Sequence, residues 1–322
     1  MITAPSNRSE FTGFSDYFEA EIAPYLAEKE ALRQRAVKEG ATLAAAAVAF
    51  GAVVFFLGGE SDVLRFFLIF VIFVAFAVAG YRINRAREKI TLGLMQKICG
   101  QLGIHYRREL KRPYYFPTFE RLKLMPSFNR EAWEDEVRGA RQGVEFIFCE
   151  AHLRYQTSGK NRSTRTVFHG QLMVIDFPHA FHGETVVKRD RGVFNQLMKP
   201  ASGFQRVGIA SPKFEKIFEA WSTDQVEART LLDPLVLERF EELERIFQGA
   251  ELRAAFVKGK LYVALETGDA LNMGSMFKPL NGAERVEEIL KEFDIIFDLI
   301  DILVKPVNAP MAGAFSVEDV KK

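Results

Sequence analysis

The 322 residues carry 43 Lys plus Arg against 42 Asp plus Glu, a formal charge of +1 at pH 7. That balance excludes the strongly basic footprint of a nucleic-acid binder, and no nucleic acid is expected as a partner. Two cysteines exclude a disulfide framework, and a mean hydropathy of -0.03 averages an intensely apolar stretch with a charged remainder.

Residues 1–39 read as a cytoplasmic N-terminal helix. Met1 to about Ser9 is polar and expected to fray. From Phe11 to Lys38, Phe14, Phe18, Ile22, Tyr25, Leu26 and Leu32 recur at steps of mostly three and four, the helical period. Pro24 is expected to break or kink this helix, because it lacks an N–H and crowds the preceding turn. The polar face is acidic (Glu19, Glu21, Glu28, Glu30), which suits packing on protein better than lying on a membrane.

Residues 40–82 read as a transmembrane hairpin. Gly40 to Gly59 and Phe66 to Gly80 contain no ionisable side chain. The first run matches the roughly 20 residues a helix needs to cross a bilayer, and the second approaches it with Val63 and Leu64. Only Glu60, Ser61 and Asp62 separate them beside Gly58 and Gly59, which demands a tight antiparallel turn. Arg33, Arg35 and Lys38 precede the first span, and Arg82, Arg85, Arg87 and Lys89 follow the second. Bases beside short loops stay on the cytoplasmic side, so both termini are expected there. Ala41, Ala45 and Ala49 give the first span a small-residue face suited to close packing, either on its hairpin partner or in a homo-oligomer.

Residues 83–142 read as a juxtamembrane helix and linker. The helix is expected to continue through Ile90, Leu94, Ile98 and Leu102 to Gly103. Pro113, Pro117 and Pro126 then predict an irregular segment whose Arg107, Arg108, Lys111 and Arg112 suit either anionic lipid or solvent. Asn129 to Arg138 reads as a short helix capped by Asn129.

Residues 143–305 read as a cytoplasmic α+β domain of antiparallel strands packed by helices, with a C-terminal amphipathic helix. Val144–Gln156 and Thr166–Phe177 predict a long hairpin, and Gly183–Arg189 and Phe204–Ile209 further strands. Ser211-Pro212 and Asp233-Pro234 predict helices near 213–221 and 235–247, the second with a stripe of Val236, Phe240, Leu243 and Phe247. Glu251–Val257 and Lys260–Glu266 flank a Lys258-Gly259 turn. Ala283 to Lys305 predicts a helix whose apolar face covers the sheet, with Asp294, Asp298 and Asp301 on a solvated ridge. Residues 306–322 read as a flexible tail.

No Walker, Rossmann or G-x-S-x-G pattern occurs, and no cofactor is expected. His152, His169, His179 and His182 share one hairpin and its exit, near Cys149. Cys149 and His152, three apart on a strand, face opposite sides of the sheet, and His179 and His182 could converge but are too few for a metal site. Cys149 sits in an apolar strand, as a core residue does. The hairpin tip Lys160, Arg162 and Arg165 is a candidate contact for phosphate or an acidic partner. The densest signal is WSTDQVEARTLLDP, Trp221 to Pro234, where Ser222 and Gln225 have capping-box spacing and Asp224, Gln225, Glu227 and Arg229 are candidate binding residues.

That stretch, with FHG (168–170), VIDFP (174–178), FEKIF (214–218) and YFEAEIAP (17–24), resembles a bacterial two-span membrane family known as domain of unknown function 3137. The resemblance implies a multi-pass bacterial inner-membrane protein and carries over no catalytic residue. Three functions compete on the sequence. The first is a membrane-anchored interaction module binding membrane lipids or a protein partner. The second is a self-associating scaffold, and the third an enzyme using acids near 224–229. The absence of an assembled catalytic set favours the first.

Overall fold

The computed structural model describes residues 2–57, 62–159, 162–177, 181–190, 202–246, 251–268, 271 and 274–308, with side chains omitted at 246 and 303–308. The turn at 58–61, Lys160, His179, Phe247 and most of the expected tail lie outside these residues, as do the side chains of Leu303 and Val304. The chain is α+β and divides into two units, Met1–Gly103 with Asn272–Lys291, and Ile104–Leu271 with Glu292–Lys322.

The first unit is built on two long helices. A 3-10 turn at Ser9–Phe11 leads into α1 (Phe14–Tyr17), a π-helical stretch at Phe18–Ile22, and α2 (Ala23–Leu57). Pro24 does not break this run, so of the expected break or kink the break is not seen. The π-helical stretch lies immediately before it, with the Ala23 N–H donating to Phe18 O, so the widened turn takes up the residue that cannot donate. The N-terminus does not fray either: Ile2 is buried and the Thr3 N–H donates to Glu287 Oε1 at 2.9 Å.

Helix α3 (Asp62–Gln101) returns antiparallel to α2. Their seam follows three- and four-residue steps on α3, through Leu68, Ile72, Ala75, Ala79, Ile83, Ala86 and Ile90. Glycines on α2 permit the close approach, since a Cβ on Gly51 would lie 2.7 Å from Ile72 Cδ1. Lower down, Phe14, Phe18, Ile22 and Leu26 are buried against the same helix pair, and the Tyr25 hydroxyl donates to Ile90 O at 3.1 Å. Gly93 sits under that ring, where a side chain would collide with the Tyr25 hydroxyl. Both helices are long and apolar enough to cross a membrane by length and composition.

The second unit carries one nine-stranded antiparallel sheet in the order β1-β2-β3-β4-β9-β8-β5-β7-β6. Its elements are β1 (His105–Glu109), α4 (Phe116–Arg121), β2 (Arg130–Arg141), β3 (Val144–Gln156), β4 (Thr164–Asp176), β5 (Thr185–Arg189) and β6 (Gln205–Val207). They continue as α5 (Pro212–Glu215), β7 (Phe218–Ser222), α6 (Gln225–Leu231), α7 (Pro234–Ile246), β8 (Glu251–Val257) and β9 (Lys260–Glu266). Helix α8 (Glu284–Asn308) is the last described element. One sheet face is covered by the 115–125 segment, where Phe116 and Phe119 meet Trp133, Leu172, Val186 and Ala264 in a buried cluster.

Three further sequence expectations are corrected in this unit. The 129–138 stretch is strand β2, not helix. Asn129 is no cap, because its side chain bonds both the N–H and the C=O of Gln156 across the sheet, each at 2.8 Å. The 107–126 segment is not irregular throughout, since it begins in β1 and contains α4. The helix expected over 213–221 stops at Glu215, because Phe218–Ser222 pairs with β5.

Candidate functional site

The 221–234 motif folds into a node that fixes the entry to β5. Asp224, not Ser222, is the N-cap of α6: its Oδ1 accepts from the N–H of Val226 at 2.9 Å and of Glu227 at 3.0 Å. Ser222 instead closes a turn, accepting from Asp224 N and donating to Asp224 O. Glu227 accepts the N–H groups of His182 at 2.8 Å and Gly183 at 2.6 Å. Gly183 is demanded by proximity, as a Cβ there would lie 2.7 Å from the Asp224 Cβ. Gln225 Nε2 donates to Gln205 O, while Arg229 is exposed. Both carboxylates offered for acid/base chemistry therefore hold backbone. Glu227→Ala should leave two N–H groups short of a partner and cost about 1–3 kcal/mol, with faster amide exchange confined to 182–185. Unchanged protection there would refute the role.

A second polar centre was not anticipated. Strand β2 bulges between Glu134 and Val137, and Asp135 there has φ +55° while buried. Its carboxylate accepts from Arg108 Nη1 at 2.6 Å and from the Tyr106 hydroxyl. Burial, then the Asp135 charge, pushes the Tyr106 phenol well above its ordinary range. Glu136 is buried between Arg107 and Arg138, each 2.8 Å from its Oε1. Burial pushes the nearby Cys149 thiol up to about 12, in keeping with its place as a core residue of β3. Of the bases at 107–112, expected to suit either anionic lipid or solvent, Arg107 and Arg108 pair with these acids and Arg112 pairs with Glu120 and Glu131.

The bases flanking the hairpin also divide. Arg33 is buried and ion-paired with Glu30, so Glu30 is not the surface acid the sequence suggested. Arg35 and Arg82 are exposed and share Glu39. Lys38, Arg85 and Lys89 are exposed, and Arg87 is half-buried. Asp301 is not on a solvated ridge: it is buried and takes Arg141 in two contacts, at 2.6 and 2.7 Å. His152 stacks on its cross-strand partner His169 with centroids 4.3 Å apart. Among the described residues no group of three or more His, Cys, Asp or Glu is placed to hold a metal. Ala41, Ala45 and Ala49 are exposed, so the seam with α3 does not use them.

Residues 166–305, from β4 into α8, match the model of a family described as a protein of unknown function, DUF3137. The match includes the 221–234 node and leaves Tyr17 to Pro24 and the apolar hairpin outside it. No curated protein matches the chain. Among solved structures, the crystal structure of the mycobacterial trehalose monomycolate transport factor A, TtfA, aligns with a TM-score of 0.32 and 13% identity, over 65% of this chain and 93% of that one.

Proposed function

We propose that the chain is a membrane-anchored interaction module: α2 and α3 cross a bacterial inner membrane, both termini face the cytoplasm, and the sheet unit binds a lipid or protein partner at that face. One observation carries the anchoring. Helices that are core elements of soluble proteins are mostly buried, whereas only 17% of each apolar window here is buried. Phe56 is 83% exposed, Phe66 77% and Phe73 70%. Leaving one such side chain in water forgoes about 2 kcal/mol relative to an apolar surrounding, and the outward faces of both helices repeat that deficit along their length. Hydrocarbon removes it.

The binding reading is supported by the engagement of Asp224 and Glu227 in backbone contacts, which withdraws the acids offered for catalysis. The test is alkaline carbonate extraction of membranes expressing the full chain. The chain is expected in the pellet and a variant lacking 40–82 in the supernatant. Release of the intact chain would overturn the reading. Self-association remains the second reading, favoured by the exposure of Ala41, Ala45 and Ala49, and particle mass in detergent decides it.

A further inference from the structure

Between Glu150 and Asp176 the sequence has no acid and four bases, Arg154, Lys160, Arg162 and Arg165. Arg154, Arg162 and Arg165 lie on the far half of the β3–β4 hairpin. Strand β9 pairs with β4 over 171–176, so among the described residues the hairpin beyond His169 has β2 on one side and no strand on the other. It forms an arm. Asn129 clamps its β3 side through Gln156, and Thr157 and Ser163 close the tip with backbone and side-chain bonds at 2.9 Å. Arg130 adds a fifth base through its register with Arg154.

What distinguishes the arm is charge left uncompensated. Most described arginines elsewhere in this unit pair with acids, as Arg108, Arg121, Arg141 and Arg189 do closely, the exposed Arg229 being an exception. Among the described residues, Arg130, Arg154, Arg162 and Arg165 have no carboxylate partner: Arg130 bonds the neutral Gln156, Arg165 lies over the Tyr155 ring at 5.9 Å, and Arg154 Nε is buried without a hydrogen bond. The chain is neutral overall, so a surplus held on one projecting ribbon is a local asymmetry seeking an anion.

We propose that this arm docks on phosphate-bearing anionic lipid headgroups. The inference rests on the anchoring reading. A tethered domain meets its own bilayer at high effective concentration, and guanidinium groups spread along a ribbon suit a field of phosphates without needing a pocket. An acidic polypeptide is the competing partner.

The test uses the full chain with Ser163→Cys, labelled with a donor dye, in liposomes carrying a headgroup-labelled acceptor. Cys99 and Cys149 are buried, so the introduced thiol takes the label. Energy transfer should rise when phosphatidylcholine is mixed with phosphatidylglycerol. It should fall with added salt, and the docked fraction should weaken roughly fivefold for each of Arg154, Arg162 and Arg165 changed to Gln. Transfer equal in neutral and anionic liposomes overturns the proposal. So does transfer blind to lipid charge but altered by added polyglutamate, which assigns the arm to an acidic polypeptide. A chain that fails to float with liposomes defeats the anchoring reading instead. The labelled chain is then mixed with preformed anionic vesicles, where arginine-dependent binding still decides for or against the arm.

Discussion

Replacing Arg33 by Ala is expected to destabilise the first unit by about 3–5 kcal/mol, read as a lowered melting temperature of the full chain in detergent. Arg33 reaches Glu30 through Nε at 2.9 Å and Nη2 at 2.6 Å, and its Nη1 donates to Met276 O at 2.8 Å. Glu30 also accepts the Leu280 N–H at 2.9 Å. The pair thus ties the 276–280 segment to α2, and its loss strands a buried carboxylate. The double variant Glu30→Gln/Arg33→Met removes both charges and should be milder than Arg33→Ala alone. Equal damage from the two would refute the argument. A pH titration offers a second check. The hydrogen bonds from Arg33, ahead of the Leu280 N–H, hold the Glu30 carboxyl down to about 2 against the cost of burial. A carboxyl depressed on folding stabilises fully above its unfolded value near 4.5. That contribution fades as pH falls from there toward 2, and Arg33→Ala should flatten the slope in this window.

The two long apolar helices were legible because they depend on what the sequence lacks: a run without charges reads the same whatever surrounds it. The Lys258-Gly259 turn was legible as well, since φ of +50° and +71° at the two positions is what an X-Gly hairpin turn demands. Strand β2 was not. Trp133 and Val137 stand four apart, as on a helix, and the bulge at Asp135 disguises the strand period; the signal passed over was Gln142-Gly143, a second turn with φ of +51° and +79°. Buried charge was hidden for another reason. Glu30, Arg33 and Asp301 look like the polar stripe of amphipathic helices until Met276, Leu280 and Arg141 arrive from more than 150 residues away. The arm was half legible: Arg162 and Arg165 announce themselves as a tip, whereas Arg130 joins only through register. The motif at 221–234 was recognised as capping with the cap misplaced by two residues, because Ser222 and Asp224 both suit the role and only β7 pairing through Ser222 decides between them.

Phe240→Ala is expected to cost about 3–5 kcal/mol, the range for emptying a buried aromatic site. Phe240 on α7 is fully buried, edge-on to Phe214 at 6.2 Å, Phe218 at 5.7 Å and Phe256 at 6.5 Å between ring centroids. These rings come from α5, β7 and β8, so a single truncation removes packing from three further elements at once. Because the rings meet at fixed angles, the vacated volume cannot be refilled by one neighbour moving inward. Phe240→Leu keeps most of the volume and should cost clearly less. The readout that separates this from general unfolding is amide exchange. Protection should fall in β7 and β8 while the α3 amides at Ile90 and Leu94, in the other unit, keep theirs. A loss spread evenly over both units would mean that the aromatic cluster is not the element holding α7 to the sheet, and that stability there is set by contacts shared across the whole chain.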